Sequence, residues 1–407
     1  MMAVSVAVTG LGLVSPAGIG LPAGWDRVCA GEPTADHDPI LADGPVTISC
    51  RVPDFDGARL LGPRAARRLD RFVQLALVAA REAVADAGLD HAGWDGARVG
   101  VVLGNTAGGT ATVEQQSRVL LTEGPAAVLP QLLPMHLANM LAGTASIELG
   151  ALGPSLTVAT ACASGATAIG LARDLLLAGR CDVVVTGGSE AMITPLEMAG
   201  FAQMRALSRR NADPRGASRP FDVDRDGFVA GEGAGILILE READASARGA
   251  RVRARIAGFG ASADAHHVTA PDPSGRGIEL ALRAALADAG AAPGDVDHVN
   301  AHGTSTPLND VTEAGVLRRV LGGADALVTS TKGVTGHCLG AAGAVEAVLT
   351  VRSIEEGLVP PTANLTTLDP AVDLAVAVKP TPRRIDLALS NSFGFGGQNA
   401  VLAVSRA

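Results

Sequence analysis

The chain has 407 residues, of which 47% are hydrophobic and only 18% charged, and its 33 basic side chains against 42 acidic ones leave a net charge of −9. That balance excludes a basic nucleic-acid binder and a disordered chain. At a mean hydropathy of +0.28, every long apolar run is still broken by Gly, Asp or Arg before it reaches the roughly 18 to 20 residues of a membrane span. Cys29, Cys50, Cys162, Cys181 and Cys338 are odd in number, scattered and without metal-ligand spacing, and no charged-then-apolar leader precedes them. A cytoplasmic protein without structural disulfides is expected. All but two of the basic residues are Arg, the exceptions being Lys332 and Lys379, and Tyr is absent. A GC-rich genome gives such a bias, so a lysine kept within a polar motif reads as one chosen for its compact ammonium.

In chain order, Val4 to Thr9 reads as a buried strand ending in Gly10-Leu11-Gly12, and Arg71 to Gly88 as an amphipathic helix closed by glycine. Val99 to Leu103 and Leu156 to Thr160 read as strands, the second running into a helix over Ala163 to Gly179. Asp182 to Thr186 follows as a strand ending in Gly187-Gly188, then a polar Arg-rich stretch from Arg205 to Asp226 and a strand at Ile236 to Glu240. A comparable order begins again near Arg253: strand Arg253 to Gly258, helix Gly277 to Gly290, a strand end at His298-Val299-Asn300, strand Ala326 to Ser330, helix Ala341 to Glu356 and strand Leu387 to Ser390. The pattern predicts an α/β fold in two related halves, 1–250 and 251–407, sharing one packed body with a site between them.

Three segments carry chemistry. Thr160-Ala161-Cys162-Ala163-Ser164-Gly165 sets a thiol between a strand and a helix, where the helix N-terminus is expected to stabilise a thiolate. Asn300-Ala301-His302-Gly303-Thr304-Ser305-Thr306 and Lys332-Gly333-Val334-Thr335-Gly336-His337 each set a histidine on a glycine-flanked turn after a strand. A histidine placed for packing alone rarely needs glycine on one side and hydroxyls around it. Two decoys fail on spacing. The series Asp222, Asp224, Asp226 imitates a calcium loop but has Gly233 at its twelfth place, where a bidentate Glu is required. The fragments Gly231-Glu232-Gly233 and Gly10-Leu11-Gly12 lack the third glycine of a dinucleotide fingerprint. Neither metal nor nicotinamide is expected.

Cys162, His302 and His337, with the late turn Asn391-Ser392-Phe393-Gly394-Phe395-Gly396-Gly397, resemble the β-ketoacyl-acyl carrier protein synthases of the thiolase superfamily, over nearly the whole chain. Gln398 stands after that turn where many relatives carry Thr. His337 separates the chain from initiating synthases, which use Asn there, and Phe395 from degradative thiolases, which use a second Cys. The resemblance implies a duplicated, five-layered α/β/α/β/α thiolase-like fold and an elongating, synthase II-like acyltransferase. Its reaction would be a decarboxylative Claisen condensation of an acyl chain held on Cys162 with malonyl-acyl carrier protein, releasing CO2 and a 3-oxoacyl product. Fatty-acid and type II polyketide or polyene elongation use the same residues.

By the same resemblance, His302 and His337 donate hydrogen bonds to the malonyl thioester oxygen, and Lys332 orients the site through Glu346. The backbone N–H groups of Cys162 and Phe395 form the oxyanion hole. Thr304, Thr306 and Thr269 hold the phosphopantetheine arm, and Phe393 and Phe395 gate the acyl channel. Ala107, in Gly104-Asn105-Thr106-Ala107-Gly108-Gly109, stands where relatives often place a bulkier side chain, so a wider or longer acyl pocket is expected. Arg64, Arg67, Arg68 and Arg205 match basic docking positions for an acidic carrier protein, with Arg71, Arg209 and Arg210 close in sequence. Pro125-Ala126-Ala127 occupies the place of another basic pair, which, with Ala107 and the GC-rich signature, inclines the reading toward a dedicated carrier and a polyketide-type pathway. No cofactor is expected beyond the substrates' carrier-borne phosphopantetheine. The chain is expected as a homodimer, or as a heterodimer with a ketosynthase-like chain-length subunit. The alternative, a non-catalytic or partner-dependent subunit that shapes such a cavity, fits less well because its nucleophile would be lost, whereas Cys162 is present.

Overall fold

The apolar run that opens the chain forms strand β1 (Val6–Ser15), buried along its whole length. The computed structural model describes residues 5–407, so Val4, the expected first residue of this strand, lies outside the described residues. β1 does not stop at Gly10-Leu11-Gly12 as the sequence suggested. A side chain at Gly12 would bring its Cβ to 1.9 Å from the carbonyl oxygen of Ala79, on helix α1 (Arg71–Asp86). Glycine there lets the helix lie directly on the strand.

Four more strands complete a first sheet: β2 (Val99–Gly104), β3 (Ser155–Val158), β4 (Val183–Glu190) and β5 (Gly233–Arg241). Their order is β1-β5-β4-β2-β3. β2 runs parallel to β3 and β4, whereas β5 is antiparallel to β4 and β1. β6 (Ala254–Ala263), β7 (His298–Asn300), β8 (Leu327–Thr329), β9 (Leu387–Gly394) and β10 (Gln398–Arg406) repeat the arrangement as β6-β10-β9-β7-β8, with the same parallel and antiparallel pairs. The sheets join where Ala7 and Val8 of β1 pair with Arg255 and Ala254 of β6.

Helices fill three layers around these sheets. α3 (Ser164–Leu177) and α6 (Ala342–Glu356) lie between them, and the core of Ala166, Ile169, Val345 and Val348 joins side chains of both sheets. α1 and α2 (Met140–Leu149) cover the outer face of the first sheet, and α4 (Arg276–Asp288) with α5 (Pro307–Leu321) that of the second. This is the five-layered, thiolase-like α/β fold. The central helices touch backbone to backbone: a Cβ on Gly165 would lie 2.7 Å from the amide nitrogen of Ala344. Two further strand ends differ from expectation. β3 stops at Val158 because Ala161 adopts φ +47° and turns the chain toward Cys162, and β4 runs through Gly187-Gly188 to Glu190.

Candidate active site

Cys162 sits on that turn, two residues before α3. The hydroxyl of Ser164 accepts from the Thr160 N–H at 2.9 Å and donates to the Ala161 carbonyl at 2.6 Å, which fixes the turn. The thiol opens into a cavity of about 370 Å3 also lined by His302, His337, Thr304, Thr306, Thr269, Phe393, Phe395 and Arg205. The two sequence halves thus meet at one site.

Each histidine is held by its backbone. Glu313, buried on α5, accepts from the N–H groups of His302 and Gly303, both at 2.8 Å, and from Asn391 Nδ2 at 3.0 Å. His337 donates its N–H to the Val229 carbonyl at 2.8 Å and accepts from the Gly231 N–H at 2.9 Å. The rings meet edge to face with centroids 5.3 Å apart. Phe393 packs on His302 at 5.5 Å and Phe228 on His337 at 5.4 Å. Burial, helped by the positive charge of Lys332, drives both imidazoles well below their usual range, so both are neutral near pH 7. Nδ1 of each ring is buried without a hydrogen-bond partner.

Lys332 and Glu346 form a buried ion pair, their side chains 1% and 2% exposed. Burial nonetheless lifts the Glu346 carboxyl to about 7 against the pull of Lys332. The expected thiolate at Cys162 is not the resting state. Burial pushes its thiol up to about 11, and Glu190 adds to the rise, while Lys332 and the backbone N–H groups of Phe395 and Cys162 pull it down. The helix end does not offset desolvation here, because the sulfur lies ahead of the first turn in an apolar cavity. The two N–H groups that pull on the sulfur are the pair expected to form the oxyanion hole.

Other expectations need correction. Ala107 does not line the cavity; it is half-buried against the cluster containing Met192, Met198 and Phe228, while its neighbour Thr106 reaches the cavity wall. Arg71 is not part of a free basic patch, because its guanidinium grips Glu232 through hydrogen bonds of 2.6 and 2.7 Å. Arg210 donates to the Asp224 carbonyl at 2.7 Å. Arg64, Arg67 and Arg68 are exposed and, among the described residues, have no ion-pair partner, and Arg205 is exposed at the cavity. Asp222, first of the calcium-like series, accepts from Arg219 and from the N–H groups of Thr366 and Thr367. Although burial opposes it, Arg219 and those N–H groups hold its carboxyl well below the usual range. Among the described residues no cluster of His, Cys, Asp and Glu is arranged to hold a metal, and no helix is long and apolar enough to cross a membrane.

Sequence reasoning missed the apolar wall of Met192, Phe201, Met204, Ile278, Leu308 and Leu339. Four of the eight Phe residues face this cavity, a concentration that marks it as a channel for an apolar chain. Arranged together at this cavity are a thiol, two neutral imidazoles, and a pair of backbone N–H groups at the sulfur.

Comparison with known proteins gives a consistent result. The family description "Beta-ketoacyl synthase, N-terminal domain" matches residues 3–245, and "Beta-ketoacyl synthase, C-terminal domain" matches residues 253–366. A Synechocystis protein named 3-oxoacyl-[acyl-carrier-protein] synthase 2 is 46% identical over 98% of both chains. Among solved structures, the ishigamide ketosynthase/chain length factor superimposes with a TM-score of 0.94 at 34% identity, covering 100% of both chains. A type II polyketide ketosynthase, bound to the hexaketide in complex with its acyl-carrier protein, superimposes with 0.91 at 31% identity, again over 100% of both.

Proposed function

Because the chain belongs to the β-ketoacyl synthase family, we propose that Cys162, His302 and His337 perform the family's decarboxylative condensation. The enzyme is an acyltransferase that extends an acyl chain with malonyl-acyl carrier protein, giving 3-oxoacyl-acyl carrier protein and CO2, in fatty-acid or type II polyketide elongation. The observation that carries the assignment of roles is the convergence of one thiol and two neutral imidazoles on one largely apolar cavity.

In the first half-reaction the Cys162 sulfur attacks the carbonyl of an acyl thioester, loses its proton, and expels the carrier's thiol. The Cys162 and Phe395 N–H groups receive the charge that gathers on the carbonyl oxygen. In the second, a malonyl thioester lies with its carbonyl oxygen toward His302 and His337. Loss of CO2 leaves an enolate that the two N–H donors stabilise; its carbon attacks the acyl-Cys162 carbonyl and expels the sulfur as a thiolate, which takes up a proton from solvent and returns to the thiol. Each such donor is worth on the order of 10²- to 10³-fold in rate. Thr304 and Thr306, whose hydroxyls lie 2.9 Å apart at the cavity, and Thr269 hold the pantetheine arm. Lys332 and Glu346 orient the site from beneath.

Carrier docking on Arg64, Arg67, Arg68 and Arg205 is supported by their exposure and by the acidity of carrier proteins. A subunit partner is supported by the free edge of β3. Leu156 is exposed on it, and Ile147 and Leu152 nearby in sequence are each 79% exposed, apolar side chains of the kind that a second copy or a chain-length subunit covers. Residues 1–250 and 251–407 then represent two copies of one unit, a reading supported by their identical strand order. The test is intact mass after incubation with acyl-carrier proteins of different chain lengths, with Cys162→Ala as control. An adduct that the control lacks supports the assignment; an adduct that persists in Cys162→Ala overturns it.

A further inference from the structure

Beneath the nucleophile lies a carboxylate that the mechanism above does not use. Glu190, the last residue of β4, is completely buried and, among the described residues, is bound by no basic side chain. It accepts hydrogen bonds from Asn105 Nδ2 at 3.0 Å and from the Thr106 N–H at 2.8 Å. Thr106 in turn donates its hydroxyl to the Ala161 carbonyl at 3.2 Å, one residue before Cys162, and lines the cavity. Asn105 also donates to the Ser189 carbonyl at 2.8 Å and accepts from the Gly108 N–H at 2.6 Å, which ties down the loop after β2. On the other side Gly340, three residues beyond His337, presses on the same carboxylate: a Cβ there would lie 2.6 Å from Glu190 Oε2 and 2.5 Å from Thr106 Oγ1.

We infer that Glu190 is a positioning residue for the condensation, joining the cavity wall at Thr106, the Cys162 turn and the His337 segment, and setting the charge that Cys162 meets from below. A buried carboxylate without a cation is costly to keep. Both of its oxygens accept, Oε1 from Asn105 and Oε2 from Thr106, so an amide could satisfy only one of the two donors, and a carboxylate is what closes the network and also brings a charge toward Cys162. The groups around Cys162 are Glu190, Lys332 with its partner Glu346, and the neutral His302 and His337. Of these, Lys332 favours the thiolate and Glu190 opposes it. Burial raises Glu190 to about 7, so its charge appears within the working pH range. Below that range Cys162 ionises more readily; above it Glu190 holds the thiol protonated until a thioester is in place.

The inference rests on Cys162 as the reactive thiol, and the test keeps the two apart. The natural protein is alkylated with iodoacetamide from pH 5.5 to 9, and modification at Cys162 is followed by peptide mass. The logarithm of the rate should rise with unit slope, flatten near pH 7 as Glu190 ionises, and resume about one unit lower, a tenfold offset of the size a nearby like charge produces. Glu190→Gln should give a single straight line about tenfold above the parent's alkaline limb. A straight line for the parent, or a shoulder that persists in Glu190→Gln, overturns the inference. Should Glu190→Gln fail to fold, Glu346→Gln takes its place, because Glu346 also lies near 7: a shoulder kept in that variant supports the inference, and one lost there traces to Glu346 and overturns it. Absence of any Cys162 adduct would remove the nucleophile, and this inference with it.

Discussion

The buried pair of Lys332 and Glu346 offers a test that separates folding from chemistry. Both side chains are almost inaccessible, at 1% and 2%, so removing one partner strands the other charge in the core. Such a loss typically costs about 3–5 kcal/mol. Lys332→Met should fall at the lower end, because Glu346, already raised to about 7, can take up a proton. Glu346→Leu leaves an ammonium with no such release and should fall at the upper end. Replacing both, as Lys332→Met with Glu346→Leu, fills the space with apolar groups and should cost about 1 kcal/mol or less. Urea unfolding at pH 7.5 would then give a coupling of at least about 5 kcal/mol between the sites. The chemistry should move the other way. Without the ammonium the pull on Cys162 is lost, and the imidazoles of His302 and His337, which Lys332 helps to hold low, titrate at higher pH. The stable double variant should therefore alkylate more slowly at Cys162 and lose malonyl decarboxylation at a higher pH than the parent. Additive stability losses, or a double variant with the parent's pH profile, would refute the reasoning.

Three further outcomes are expected. His298 is buried and accordingly lowered from 6.5 to about 4. The unfolded chain therefore binds its proton first as pH falls, and stability is lost between the ordinary imidazole range and that value, about 3 kcal/mol in full; denaturation at pH 7 and 4.5 should show most of that difference missing in His298→Gln. Reversal of Arg64, Arg67 and Arg68 to Glu should raise KM for a carrier-borne substrate at least about tenfold at low salt, leave kcat near the parent value, and lose its effect as ionic strength rises. Ala107→Ile should cost about 1–3 kcal/mol in urea unfolding by overpacking the cluster behind Thr106 and, because Ala107 does not line the cavity, leave the elongation profile from C4 to C16 unchanged; a shift toward shorter primers would refute that placement.

The polar turns were legible because function there needs rare combinations. A thiol or imidazole beside glycine and hydroxyls, directly after an apolar strand, has few purely structural uses, and Cys162, His302 and His337 all lie at one cavity. Strand ends were less legible for the same residue type. Glycine at Gly12 and Gly187-Gly188 resembles a turn signal, yet in β1 it serves close approach by α1 and in β4 the strand runs straight through it. Charge was the hardest to read. Arg71 looks like Arg67 and Arg68 in sequence, and only the fold brings Glu232 to it. Glu190 carries no local pattern, since its partners Asn105 and Thr106 lie 84 or more positions away, and the contact of Glu313 with Asn391 spans 78 positions although it also holds His302 and Gly303 close by in sequence. The Cys162 thiolate was misjudged because a helix end can be seen in sequence, whereas the desolvation that outweighs it cannot.

The resulting site is held near neutrality on purpose of its chemistry rather than by default. A protonated His302 or His337 would bind the malonyl carboxylate as an ion pair and stabilise the group that must leave as CO2. Burial and the charge of Lys332 prevent that protonation, so each ring offers only an N–H dipole. Such a dipole gains strength when the substrate's charge moves from the carboxylate to the enolate oxygen within a cavity of low dielectric. The same burial keeps Cys162 a thiol in the resting site; once acylated, as the proposed mechanism has it, the sulfur carries neither proton nor charge that could repel the enolate. One physical cause, desolvation, therefore sets the Cys162 thiol and both imidazoles in the uncharged states that the proposed mechanism uses, and the charge of Lys332 acts on all three together.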